Sequence, residues 1–126
     1  MILIDSSAWI EYFEGSKQGV IVKGYIEKNQ DVLTPSIVLA ELSIKAAKEK
    51  LDFNEHLNFI KSQSMIIGLN DEIIKNIGVI YLKQRKIKSG FGIVDSIVYA
   101  TSSIKKSMLI TKDQDFEGLD NVEILK

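Results

Sequence analysis

Ile2-Leu3-Ile4-Asp5-Ser6-Ser7-Ala8-Trp9-Ile10 decides how the rest of this chain is read. Three apolar residues in a row are too few for a helix and enough for a short buried strand. The run breaks at Asp5-Ser6-Ser7, residue types that close a strand and open a helix. Ser6 or Ser7 is placed to cap a helix from Ala8 to about Glu14, which Gly15 ends. The same unit then recurs along the chain. Val32-Leu33-Thr34 is a second strand stopped by Pro35, with Ser36 placed to cap a helix to about Lys50. Met65-Ile66-Ile67 is a third, after which Asn70 or Asp71 opens a helix to about Lys86. Met108-Leu109-Ile110 ends at Thr111-Lys112-Asp113, and Val122 to Leu125 is a fifth strand. Further helical periodicity runs over Val20–Lys28, Asn54–Ser62 and Ile93–Lys105. Short apolar strands separated by helices predict an α/β fold on a parallel sheet. With 126 residues, no repeat and no linker, residues 1–126 are expected to form a single domain.

The composition narrows the chemistry. There is no Cys, which removes disulfide scaffolds, thiolate metal sites and cysteine nucleophiles. The one His, His56, excludes paired-histidine catalysis and a multi-histidine metal site. It lies in the polar stretch Asn54-Glu55-His56-Leu57-Asn58 and reads as a surface residue. Sixteen Lys and Arg against seventeen Asp and Glu leave a net charge of −1, so a broad basic clamp on nucleic acid is not indicated. The apolar start stops at Asp5, too soon for a signal peptide core. No uncharged stretch approaches the ~18 residues of a membrane span. A soluble cytoplasmic protein without membrane contact is expected.

What remains is a set of acids. Ligands of open α/β sheets bind outside the carboxyl ends of the strands, and two strands here end at Asp5 and at Asp113 and Asp115. Alone, Asp5 or Asp113 reads equally as a turn or cap residue. Glu41 falls on a helical face with Ile37, Val38 and Ile44, where it is either functional or an edge residue paired with Lys45. Asp95 sits in Ile93-Val94-Asp95-Ser96-Ile97-Val98. It is either functional or an anion favoured by the helix N-terminus. Converging carboxylates stay ionised only around a cation, and hard oxygen donors suit Mg2+ or Mn2+. An aspartyl-nucleophile phosphatase would need a second acid where Ser7 stands. A phosphoreceiver domain would need an Asp where Gly68 stands.

Four stretches together resemble a known family. Ile2 to Ile10 resembles the opening of PIN-domain nucleases, and Pro35-Ser36-Ile37-Val38-Leu39-Ala40-Glu41-Leu42 resembles their second acidic motif. Asp95-Ser96-Ile97-Val98-Tyr99-Ala100-Thr101 resembles the third, and Ile110-Thr111-Lys112-Asp113-Gln114-Asp115-Phe116 the fourth. The free-standing size resembles the VapC toxins of toxin–antitoxin pairs. The resemblance implies a three-layer fold, a five-stranded parallel sheet with helices on both faces. It implies a Mg2+- or Mn2+-dependent ribonuclease whose catalytic, metal-binding acids are Asp5, Glu41, Asp95 and Asp113, supported by Ser6, Thr111 and Asp115. It also implies an RNA substrate, a homodimer and a cognate antitoxin that blocks the site. Two positions depart from the pattern: Tyr99 stands where a small residue is usual, and Asp113 and Asp115 both suit the fourth acid. The competing class is a non-catalytic PIN-like module that binds RNA or a partner, which loss of an acid would favour. No acid is missing.

Other features have bland readings beside functional ones. The run Lys83, Arg85, Lys86 and Lys88 suits a helix end first and an RNA or antitoxin contact second. Phe91, between two glycines, is either a base-stacking residue or a core anchor. Trp9, Tyr12 and Phe13 read first as core or dimer packing.

Overall fold

The computed structural model describes residues 1–29 and 31–126. Five parallel strands form one sheet: β1 (Ile2–Ile4), β2 (Val32–Pro35), β3 (Met65–Ile67), β4 (Met108–Thr111) and β5 (Val122–Ile124). Six helices connect them: α1 (Ser6–Glu14), α2 (Lys17–Lys28), α3 (Ser36–Glu49), α4 (Phe53–Gln63), α5 (Asp71–Arg85) and α6 (Ile93–Ile104). A 3-10 turn, Gln114–Phe116, follows β4. Among the described residues, no helix is long and apolar enough to cross a membrane.

The strand order is β3-β2-β1-β4-β5. The chain runs outward from β1 to β3, then returns past β1 to β4. Right-handed crossovers therefore put α1 to α4 on one face and α5 and α6 on the other. The reversal leaves a crevice at the carboxyl ends of β1 and β4, where such sheets bind ligands. Ile4 pairs with Ile110, so the residues that follow each of them, Asp5 and Thr111, come out side by side.

Every residue of β1 and β2 is buried, as continuous apolar strands covered on both faces require. Leu3, Ile4, Leu109 and Ile110 fill the middle of the core with Val22, Val38, Ile60, Ile73 and Val98 from the helices. Trp9 is fully buried beneath Tyr12, Phe13 and Phe59, and its indole N–H donates to Thr34 Oγ1 at 3.2 Å. It is a core residue. Gly19 lets α2 close onto α1: a Cβ there would stand 2.0 Å from the Glu11 carbonyl oxygen. Phe91 is also core, buried edge-on against Phe116, which excludes it from base stacking. His56 is not free on the surface but stacked on Phe13 at 4.0 Å.

Several expected helix ends move. Ser6 and Ser7 are already helical, and Asp5 is the N-cap of α1. Ser36 is likewise the first helical residue of α3, behind Pro35. The second helix starts at Lys17 rather than Val20, because Ser16 Oγ accepts the Gly19 N–H and caps it there. On α3 the buried stripe is Val38, Leu42 and Ala46, while Ile44 is exposed. Lys45 pairs with Glu49 at 3.0 Å and leaves Glu41 alone.

Candidate active site

Asp5, Asp95, Asp113 and Asp115 reach the crevice from a strand end, a helix start and a turn, and Glu41 reaches it from within α3. Asp5 is the first residue past β1, extended in backbone and 5% exposed. Its Oδ1 accepts the Ala8 N–H at 3.0 Å and the Ser7 hydroxyl at 2.7 Å. Its Oδ2 accepts the Thr111 hydroxyl from the neighbouring strand at 2.5 Å. Burial pushes the Asp5 carboxyl up to about 6, against those three donors, and the Asp113 charge adds to the rise.

Glu41 projects from the second turn of α3, where Ser6 Oγ donates to its Oε1 at 3.0 Å. Burial raises its pKa first; the Ser6 hydrogen bond opposes, and the charges of Asp95 and Asp113 add. Asp95 lies in the first turn of α6, and its Oδ2 accepts the Gly92 N–H at 2.9 Å. The helix-terminus reading of Asp95 is therefore correct and does not remove it from the site. Its carboxyl too is raised, by burial and then by Asp113 and Asp115, with the Gly92 N–H pulling the other way.

Asp113 and Asp115 flank Gln114 in the turn after β4. The Asp113 N–H donates to Thr111 Oγ1 at 3.0 Å, and Asp113 Oδ1 accepts the Asp115 N–H at 2.9 Å. Asp113 is thus the capping residue of this turn, and Asp115 is free of that duty. One carboxylate oxygen from each of Asp95, Asp113 and Asp115 lies within 4.8 Å of the other two. Asp5 and Glu41 stand outside that triad and are tied to it through charge. The structure thus brings both Asp113 and Asp115 within that distance of Asp95. Among the described residues, no cationic side chain is paired with any of the five.

Sequence reasoning passed over several supporting residues. Ser7 bridges the site, since its hydroxyl donates to Asp5 and accepts the Lys112 N–H at 2.9 Å. Glu11 is buried and bonds Ser16 Oγ and Lys112 Nζ, and the Lys112 hydrogen bond, then that from Ser16, lowers its pKa. That pair ties α1 to the end of β4. The signal for Ser7 was its place two residues after Asp5; Glu11 had none, as its partner is 101 residues away. In the basic run, Arg85 lies over the Tyr81 ring and Lys88 reaches Glu117 at 3.7 Å. Only Lys83 and Lys86 are exposed without such engagement.

A family model described as PIN domain matches residues 2–122. No curated protein matches the chain by sequence. Among solved structures the chain is similar to VapBC2 from Rickettsia felis bound to a promoter DNA fragment, 19% identical with a TM-score of 0.78 over 100% of both chains. It is similar to Mycobacterium tuberculosis VapC20, a sarcin–ricin-loop-cleaving toxin, 16% identical with a TM-score of 0.77 over 100% of both chains. It is similar to a toxin–antitoxin complex from Klebsiella pneumoniae, 22% identical with a TM-score of 0.75 over 98% of this chain and 96% of that one. At such identities the likeness is one of fold.

Proposed function

The chain belongs to the PIN-domain family, and from that premise we propose that it is a metal-dependent endoribonuclease, the toxin of a toxin–antitoxin pair. One observation carries the reading. Five carboxylates from four separate segments crowd the switch point of the sheet, with no cationic partner among the described residues. Such a cluster is costly to keep ionised without a cation inside it. Its donors are all carboxylate oxygens, which fits Mg2+ or Mn2+. Asp95, Asp113 and Asp115 would hold the ion, with Asp5 and Glu41 completing the acidic set. A divalent ion bound there supplies charge stabilisation at the scissile phosphate and makes water a nucleophile at neutral pH.

The chain's own residues do the positioning. Thr111 and Ser7 hold Asp5 by both oxygens, Ser6 holds Glu41, and the Gly92 N–H holds Asp95. These hydroxyls are committed to carboxylates, and His56 is stacked on Phe13. A hydrolytic route without a covalent enzyme intermediate suits this arrangement. The near-neutral total charge suits contact with a short stretch of RNA rather than a long clamp.

The test is incubation of the purified chain with a mixed RNA pool. Cleavage is expected with Mg2+ or Mn2+, loss of cleavage with EDTA, and suppression by a cognate antitoxin. Folded protein that leaves broad RNA pools intact under every metal condition would sink the reading.

The expected homodimer has a suitable face on α5. Ile74, Val79 and Leu82 are 52%, 71% and 65% exposed. The helix carries Asp71 and Glu72 in its first turn and Lys83 and Arg85 in its last. Two copies of α5 crossing antiparallel would bury the apolar residues and set each acidic end against a basic one. Leu82→Glu is expected to convert a dimer into monomers in sedimentation velocity. An unchanged dimer would place the interface elsewhere.

A further inference from the structure

The loop between α5 and α6 closes against the acidic cluster from outside. Phe91 packs edge-on against Phe116, with ring centroids 5.6 Å apart. Lys88 reaches Glu117 on the far side of the same turn. Arg85 Nη1 donates to the Phe91 carbonyl at 3.3 Å. Beside it on α5, Gln84 is only 3% exposed, and its Nε2 donates to the Asp115 carbonyl at 3.1 Å. A buried amide on a helix is costly without a partner, and this one finds its partner 31 residues away.

Gly90 lies against the Asp115 side chain itself. A Cβ built on Gly90 would stand 2.6 Å from Asp115 Oδ2 and 3.3 Å from its Cγ and Oδ1. Gly90 does not have the positive φ that favours glycine; only Gly15 and Gly118 among the described glycines do. The backbone therefore does not require glycine here. The carboxylate beside it does.

We propose that Gly90 and Gln84 are positioning residues that keep the Asp115 carboxylate within reach of Asp95 and Asp113, and so set the affinity of the cluster for a divalent ion. The proposal rests on the metal-dependent reading above. Gln84 pins the main chain of Asp115, and the missing methyl at Gly90 leaves its carboxylate room. The atoms a new Cβ would strike are the far end of a side chain. Gly90→Ala is thus relieved by turning Asp115 out of the cluster, and the fold survives.

The experiment is calorimetric titration of the full chain with Mn2+, beside thermal melting in EDTA. Gly90→Ala is expected to weaken Mn2+ binding by about 10- to 100-fold, the usual range for groups that orient a ligand, with no change in melting temperature. Asp115→Asn is expected to weaken it at least as much, and the double substitution no further than Asp115→Asn alone. Gln84→Met, which removes the donor at similar volume, is expected to shift affinity in the same direction by less. Parental affinity in Gly90→Ala, or losses that simply add in the double variant, would overturn the proposal and leave the metal site standing. A parent chain that binds no Mn2+ would overturn both, and undiminished binding by Asp113→Asn would overturn the metal reading at its root.

Discussion

Asp95→Asn is expected to reduce RNA cleavage on the order of a thousandfold, about 4 kcal/mol of lost transition-state stabilisation. The substitution removes a charge and changes little else. The amide oxygen of Asn still accepts the Gly92 N–H that Asp95 Oδ2 now takes, so the start of α6 keeps its hydrogen bond. Asp95 is also where two influences meet, since both Asp113 and Asp115 raise its pKa. Removing its charge relieves that repulsion, so the variant should melt no lower than the parent. Single-turnover cleavage at saturating Mn2+ is the measurement, with melting as the control. A folded Asn variant that cleaves within tenfold of the parent would move the reaction away from this cluster.

Asp5→Asn is expected to stabilise the metal-free protein while inactivating it. The sign follows from the direction of its pKa. In the unfolded chain Asp5 titrates near the ordinary 3.8, and in the fold at about 6. Between those values the native state holds a proton that the unfolded state has lost, so stability falls as pH rises from about 4 to about 6. Above that range the full cost of a buried charge is present, on the order of 3 kcal/mol. Asn carries no such charge. Its oxygen can keep the Ala8 N–H, but its amide must face Thr111 Oγ1, which now donates to Asp5 and would have to turn. A net gain of roughly 1–2 kcal/mol at neutral pH is expected after that loss. Chemical denaturation in EDTA across pH 4 to 7.5 gives the comparison. Parallel curves for parent and variant would show that Asp5 does not carry the effect.

Such a gain would place the acidic cluster among sites whose chemistry is held at the expense of stability. Two structural roles fall on Asp5, the end of β1 and the cap of α1. The residue that ends the strand must leave it extended, and the residue that caps the helix must also be extended. One residue meets both conditions, which is why the cap is Asp5 and not Ser6 or Ser7.

The strands β1 to β4 were legible because each opens on a short run of apolar residues that a turn or helix start then closes. Their order was not. Nothing local says that the chain turns back after β3, and that return is what makes β1 and β4 neighbours. The four acids of the family-like motifs could be named in advance and expected to converge, but the tighter grouping of Asp95 and Asp113 with Asp115 could not. Asp115 joins Asp95 and Asp113 because the 3-10 turn folds back on itself, and a spacing of two residues does not reveal that. Glu41 was anomalous for the wrong reason. Its helix buries Val38, Leu42 and Ala46, so Glu41 stands at the margin of the core facing Ser6 rather than within an apolar stripe. Gln84 and Gly90 gave no local signal, since their meaning lies in a turn about 30 residues later.

The hydrogen bond from Thr111 to Asp5 joins residues 106 positions apart in a chain of 126. During synthesis the first acid therefore leaves the ribosome long before the strand that orients it. Until β4 arrives, β1 has one open edge, Asp5 lacks its Thr111 donor, and the turn bearing Asp113 and Asp115 does not exist. A nascent or prematurely terminated chain would expose a sticky central strand but no assembled acidic cluster. Assembly of the centre thereby waits until β4 and the turn after it have been made, a timing built into the topology and not into any single residue.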